Sequence, residues 1–164
     1  MLPNSTDSSS AGEIDIFEQY GKFQDSICIT LHNWVFANAS QSCFSTGKNL
    51  TDSYHIYGML WTEATMTFYV DGVQVWQNAT QDVMKFPYYL LVDLGIGGGW
   101  PTQNTPSPSN MYVQYVRAYA PGSGVSSTGA TTSVTGGDGS TGTGCGSSVG
   151  VPFWVSFFSL SLWN

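Results

Sequence analysis

Positive charge is what this 164-residue sequence has least of: four Lys and Arg stand against eleven Asp and Glu, for a net charge of -7. No basic patch exists to neutralise phosphates, which excludes nucleic acid as a partner. Charge of either sign is scarce, at 9% of residues. Internal repeats are absent, and so is a convincing amphipathic helix. No secretory signal is visible at the start. The one long apolar stretch, at the C-terminal end, falls short of the about 20 residues that span a bilayer.

Aromatics, by contrast, reach 15%, with six Trp. An aromatic-rich, charge-poor chain suits neutral ligands or an extracellular setting. Abundant Gly, Ser and Thr beside few Lys fit secretion.

By texture the chain divides into three. Residues 1–121 alternate short runs of Val, Ile, Tyr, Phe and Trp with Gly, Asn, Asp and Pro, an all-β pattern. Residues 122–148 are nearly all Gly, Ser and Thr, and read as a flexible linker. Residues 149–164 form a hydrophobic tail.

Strands are expected at "GEIDIFEQY" and at "SICITLHNW". In the second, Ile27, Ile29 and Leu31 share one face, and Cys28, Thr30, His32 and Trp34 the other. Asp71-Gly72 in "TFYVDGVQVW" predicts a tight hairpin. "PYYLLVDLGI" predicts a central strand and "MYVQYVRAY" a closing one. Many antiparallel strands with turn punctuation mean a sandwich or a barrel.

"AGEIDIFEQYG" gathers Glu13, Asp15 and Glu18 in one apolar run. Alternation sends Ile14 and Ile16 to the core and the first two acids the other way. It would also bury Glu18, at great cost. A β-bulge at Ile16-Phe17 returns Glu18 to the face of Glu13 and Asp15. Like charges that close raise at least one pKa. A protonated acid beside an ionised carboxylate is the equipment of glycoside hydrolysis. Taken alone, the E-x-D-x-x-E spacing also fits a calcium-binding or simply solvated strand end.

"GEIDIFEQYG" resembles the signature of glycoside hydrolase family 16, the laminarinase-like β-glucanases. "YHIYGMLWTEATMTFYVDGVQVW", "PYYLLVDLGIGGGWP" and "NMYVQYVRAYAP" resemble that family's hairpin, central strand with Gly-rich loop, and closing strand, in the same order. "TPSPSNMYVQYVRAY" resembles the branch of bacterial exopolysaccharide endoglycanases. The resemblance implies a concanavalin-like β-jelly-roll sandwich with a cleft on its concave side. It implies a retaining endo-acting hydrolase of β-1,3- or β-1,3/1,4-glucan or a related polysaccharide. Glu13 would be the nucleophile, Glu18 the general acid and then base, and Asp15 the residue that orients the nucleophile.

No cofactor is expected. The family's structural calcium is held partly through an Asp where Gln114 stands, so that site is not carried over. The family's central strand has Asn where Asp93 stands. Family members also carry further strands before the catalytic one, so the chain is expected to be the C-terminal part of a longer product. On that expectation the face of Ile27, Ile29 and Leu31 would lie open. A non-catalytic carbohydrate-binding or vestigial cell-surface protein is the alternative function.

His32 and Trp34 could contact sugar, Trp offering a flat apolar face to a pyranose; His32 could equally be a hydrogen-bonded structural residue. Trp100 could be a loop anchor or a subsite platform. Trp61, Trp76, Phe68 and Tyr69 read as packing residues. Cys28 and Cys43 suit an extracellular disulfide, with Cys145 left in the linker; three free thiols are the alternative. Glycosylation sequons stand at Asn4, Asn38, Asn49 and Asn78. Small residues near Gly137–Ser140, a spacer and the apolar tail match a GPI-attachment layout; a plain tail anchor is the other reading. The expectation is a monomer acting on a polysaccharide, secreted or at the cell surface, touching membrane only through that tail.

Overall fold

The computed structural model describes residues 1–5, 11–97, 99, 101–105, 107–119 and, as a backbone course, 153–158. Its strands are β1 (Leu2–Pro3), β2 (Gly12–Glu18), β3 (Ser26–Asn33), β4 (Asn38–Ser45), β5 (Ile56–Trp61), β6 (Thr65–Val70), β7 (Val73–Ala79), β8 (Tyr88–Tyr89), β9 (Val116–Tyr119) and β10 (Phe153–Phe158). Among the described residues the only helical piece is a single 3-10 turn, Asp82–Met84. The fold is all-β, with every pairing antiparallel, in keeping with a jelly-roll sandwich.

Two sheets matter. One has the order β2-β3-β4, the other β7-β6-β5-β10-β9. Period-2 alternation aims Ile14 and Ile16 of β2, and Ile27, Ile29 and Leu31 of β3, into one buried cluster. Tyr57 and Met59 of β5 and Met66, Phe68 and Val70 of β6 meet them from the other sheet. The open face expected at Ile27, Ile29 and Leu31 is therefore covered: these side chains are at most 2% exposed. The five-stranded sheet takes their apolar surface out of water.

The Asp71-Gly72 hairpin has positive φ at both residues, 51° and 79°. That is the twist a two-residue turn between right-twisted strands requires. Asp71 also ties this hairpin to the loop before β5. Its Oδ1 accepts from the Ile56 amide at 2.9 Å, and Oδ2 meets His55 Nδ1 at 2.8 Å. Buried His55 in turn meets the Ser53 hydroxyl through Nε2 at 3.2 Å.

The strand expected at "PYYLLVDLGI" is corrected. Only Tyr88–Tyr89 pair, with Leu2–Pro3. Leu91, Val92, Leu94 and Ile96 are exposed. A continuous apolar run becomes a central strand only where partners flank it on both edges. Among the described residues this run has none beyond Tyr89. The closing strand is likewise shorter than expected, Val116–Tyr119.

Part of the hydrophobic tail runs as a strand, a position not expected from the sequence. Phe153–Phe158 pair with β5 on one edge and with β9 on the other. The linker, residues 122–148, lies outside the described residues.

Candidate active site

The site is built on β2 and its hairpin partner β3. Glu13 stands opposite His32 and Asp15 opposite Thr30, but Glu18 stands opposite Cys28. Two residues of β2, Ile16 and Phe17, therefore span the place of Ile29 alone, which makes a β-bulge. Ile16 enters the core, and Phe17 stacks on Tyr57 with ring centroids 4.1 Å apart. The extra residue brings Glu18 back to the side of Glu13 and Asp15. A Cβ at Gly12 would lie 2.6 Å from the Tyr88 hydroxyl and 3.1 Å from the Val83 carbonyl oxygen, so a larger residue there would have to displace the Tyr88 side chain.

Glu13, Asp15 and Glu18 all line one cleft of about 990 Å3, together with His32 and Trp34. The exposed run Leu91–Gly97 lines it as well. Size and mixed lining suit an organic ligand held by apolar surface and a few polar groups. Trp34 follows β3 and is 54% exposed. Trp100 lies outside the described residues.

Glu18 and Asp15 each have their own partners. Thr30 Oγ1 donates to Glu18 Oε2 at 2.8 Å, and Gln41 Nε2 donates to that Thr30 oxygen at 2.9 Å. The Tyr20 hydroxyl donates to Glu18 Oε1 at 3.2 Å. Both oxygens of Glu18 are thus oriented. Asp15 Oδ2 meets His32 Nε2 at 3.1 Å. Burial pushes the Asp15 carboxyl up to about 6; the charges of Glu13 and Glu18 push the same way, and His32 opposes them. Burial, then Glu13, also pushes the Tyr88 hydroxyl up to about 12. A carboxyl raised by burial and by two neighbouring acids marks a candidate site for acid-base chemistry.

Glu13, Asp15 and His32 each offer a ligand atom, all within 4.8 Å of one another. The direct His32–Asp15 contact explains this closeness without an ion.

Thr30, Tyr20 and Gln41 join the site without any sequence motif to mark them. Strand alternation alone places Thr30 beside His32 on the face of the acids, and that was the available signal. Gln41 lies across the second hairpin, opposite Thr30. Cys28 and Cys43 are paired residues of β3 and β4, joined by a disulfide. Among the sequon asparagines, Asn4, Asn38 and Asn49 are exposed and Asn78 is half-buried in β7.

Comparison with known proteins gives the family. The family model described as glycosyl hydrolases family 16 matches residues 1–117. The endo-1,3-1,4-beta-glycanase EglC of Rhizobium meliloti (strain 1021) is 33% identical over 124 residues, 73% of this chain and 26% of that protein. The glucan endo-1,3-beta-glucosidase A1 of Niallia circulans is 30% identical over 132 residues, 68% of this chain and 19% of that protein. The keratan-sulfate endo-1,4-beta-galactosidase of Sphingobacterium multivorum is 34% identical over 122 residues, 67% of this chain and 28% of that protein. The chain thus spans between 19% and 28% of the length of these three relatives. No solved structure matches it.

Proposed function

The chain belongs to glycosyl hydrolases family 16, and on that premise we propose that it is the catalytic part of an endo-acting β-glucan hydrolase that works with retention. The observation that carries the reading is the bulge that turns Glu13, Asp15 and Glu18 into one cleft. Glu13 attacks the anomeric carbon and forms a glycosyl-enzyme ester as Glu18 protonates the departing oxygen. Glu18 then takes a proton from water, which releases the sugar from Glu13. Asp15 keeps the nucleophile in place between two neighbouring charges. Tyr20 and Thr30 aim Glu18.

The substrate is a β-1,3- or β-1,3/1,4-linked glucan. The activities that name the Rhizobium and Niallia relatives support that choice. The galactan-directed Sphingobacterium relative marks a related galactan as the second substrate to try. Proton NMR of the first product from laminarin and from mixed-linkage glucan tests the mechanism. A β-anomer formed first is expected; an α-anomer formed first overturns retention. No turnover of any β-glucan or galactan, by this chain or by a longer product containing it, overturns the hydrolase reading in favour of a carbohydrate-binding role.

We also read the protein as secreted or held at the cell surface. Three exposed sequon asparagines and the Cys28–Cys43 disulfide support this. A GPI-anchored form would lose the tail, whereas β10 keeps it, so the two readings of Phe153–Phe158 exclude each other in one molecule. Release from cells by phosphatidylinositol-specific phospholipase C, with no Phe157-Phe158 peptide in the mature protein, is expected for the anchored form. Retention of that peptide overturns the anchor.

A further inference from the structure

His32 lines the cleft beside the acids, yet its polar contact is to a neighbouring side chain. It spends Nε2 on Asp15 Oδ2 at 3.1 Å. Its ring lies flat against Trp34, with centroids 4.7 Å apart and planes 5° from parallel. Its backbone position is fixed by pairing with Glu13. Three constraints of different kinds therefore hold one imidazole: strand register, a stacked indole and a carboxylate.

We propose that His32 is a positioning residue that holds Asp15 against Glu13, and that Trp34 serves it by locking the plane of its ring. This rests on reading Glu13, Asp15 and Glu18 as glycosidase machinery. The physical need is plain. Asp15 lies between two like charges and is largely withdrawn from water, with 18% of its side chain exposed. A carboxylate so placed swings away from its neighbours unless a donor fixes it. Nε2–H supplies that donor. An imidazole free to rotate about its Cβ bond would supply it only part of the time, and the indole face removes this freedom. One face of Trp34 covers His32, and exposure leaves the rest of the ring to substrate. Sugar packed on Trp34 would then press on the residue that orients the acids.

The groups around this pair come from every neighbouring element. Glu13 and Glu18 flank Asp15 on β2, and His32 faces it from β3.

The test compares His32→Ala, His32→Gln and Trp34→Ala in the full chain with laminarin as substrate. Loss of the imidazole is expected to lower kcat about tenfold to a hundredfold, the range for a lost outer partner. KM should move less than about threefold, as befits a group that acts through another. The acidic limb of the pH profile should move upward, because the charge that opposes Asp15's rise is gone. Glutamine, whose amide N–H can reach the same oxygen, should restore most of kcat without returning the limb. Trp34→Ala should raise KM and lower kcat by less than His32→Ala does. A His32→Ala variant with raised KM, unchanged kcat and an unmoved limb would show a sugar-contacting residue and overturn the proposal.

A second measurement needs no activity, so failure of the glycosidase reading can be told apart. Long-range nitrogen–proton NMR correlations report which ring nitrogen of neutral His32 carries the proton. Nε2–H is expected in the native chain, shifting toward a mixture in Asp15→Ala. An identical tautomer in both overturns the positioning role even if the enzyme turns over.

Discussion

On the β2-β3-β4 sheet, Asp15 lies beside two other carboxylates, and burial with those like charges pushes it up to about 6. On the edge of the other sheet, Asp71 lies between an amide and an imidazole. Burial alone would raise it, but the Ile56 amide and His55 outweigh that and hold it below the ordinary carboxylate range. One acid is kept against its preference and the other is satisfied. Like charges gathered at a cost to stability mark a site under functional demand, whereas a satisfied acid in a turn marks architecture. The sheet β7-β6-β5-β10-β9 covers the core; the sheet β2-β3-β4 uses that support to hold an unfavourable constellation.

The sharpest separation comes from paired substitutions. Glu13→Gln and Glu18→Gln should each reduce turnover of laminarin by about a thousandfold or more, with thermal midpoints within a few degrees of the parent. Aryl glycosides with good leaving groups should partly rescue Glu18→Gln alone, because a proton donor can be bypassed and a nucleophile cannot. Rescue of Glu13→Gln instead reverses the two roles. On the opposite sheet, Phe68→Ala removes a fully buried ring. It should cost about 3–5 kcal/mol of stability in denaturant titration, and leave activity per folded molecule near the parental value. Large losses of both quantities at all three positions would erase the distinction between the sheets.

A smaller effect tests the two acids by pH. Asp15 has a raised folded pKa, so its contribution is most favourable below the ordinary value of 3.8 and is lost as pH rises through about 6. Asp15→Asn should therefore gain on the order of 1 kcal/mol over the parent at pH 7, after discounting for solvent screening, and nothing at pH 3. Asp71 has the opposite sign. Its contribution is present above 3.8 and is lost as pH falls through its lowered folded value. Asp71→Asn should lower the thermal midpoint at pH 7 and change it little at pH 3. Two variants with the same sign at pH 7 would break the comparison.

The site sheet was legible in the sequence because its information is local. β2 and β3 are joined by a short loop, and their apolar residues alternate with period 2. The need to keep Glu18 out of the core demands a bulge at Ile16-Phe17, and the register shift lies there. The Asp71-Gly72 turn was legible for the same reason. β4 was not: "NASQSCFS" offers only Phe44 as a large apolar side chain, so alternation gave no signal for an edge strand. His32 was assigned to the correct face, but its contact with Asp15 depends on hairpin register, which one strand read alone does not reveal. The largest differences lie where partners come from far along the chain. "PYYLLVDLGI" reads as a central strand by composition, yet a strand also needs neighbours. Phe153–Phe158 reads as a tail, yet β5 and β9 take it in as a neighbour.

The claim on which the rest depends is that Glu13 becomes covalently attached to sugar. Incubating the chain with 2,4-dinitrophenyl 2-deoxy-2-fluoro-β-laminaribioside traps that intermediate, since fluorine slows both its formation and its hydrolysis while the dinitrophenolate leaving group speeds only its formation. Peptide mass spectrometry should find one fluorodisaccharide on Glu13, with release of one equivalent of dinitrophenol, and no adduct in Glu13→Gln. An adduct on Asp15 or Glu18 in the native chain, or unlabelled protein that nonetheless hydrolyses laminarin, would contradict the account.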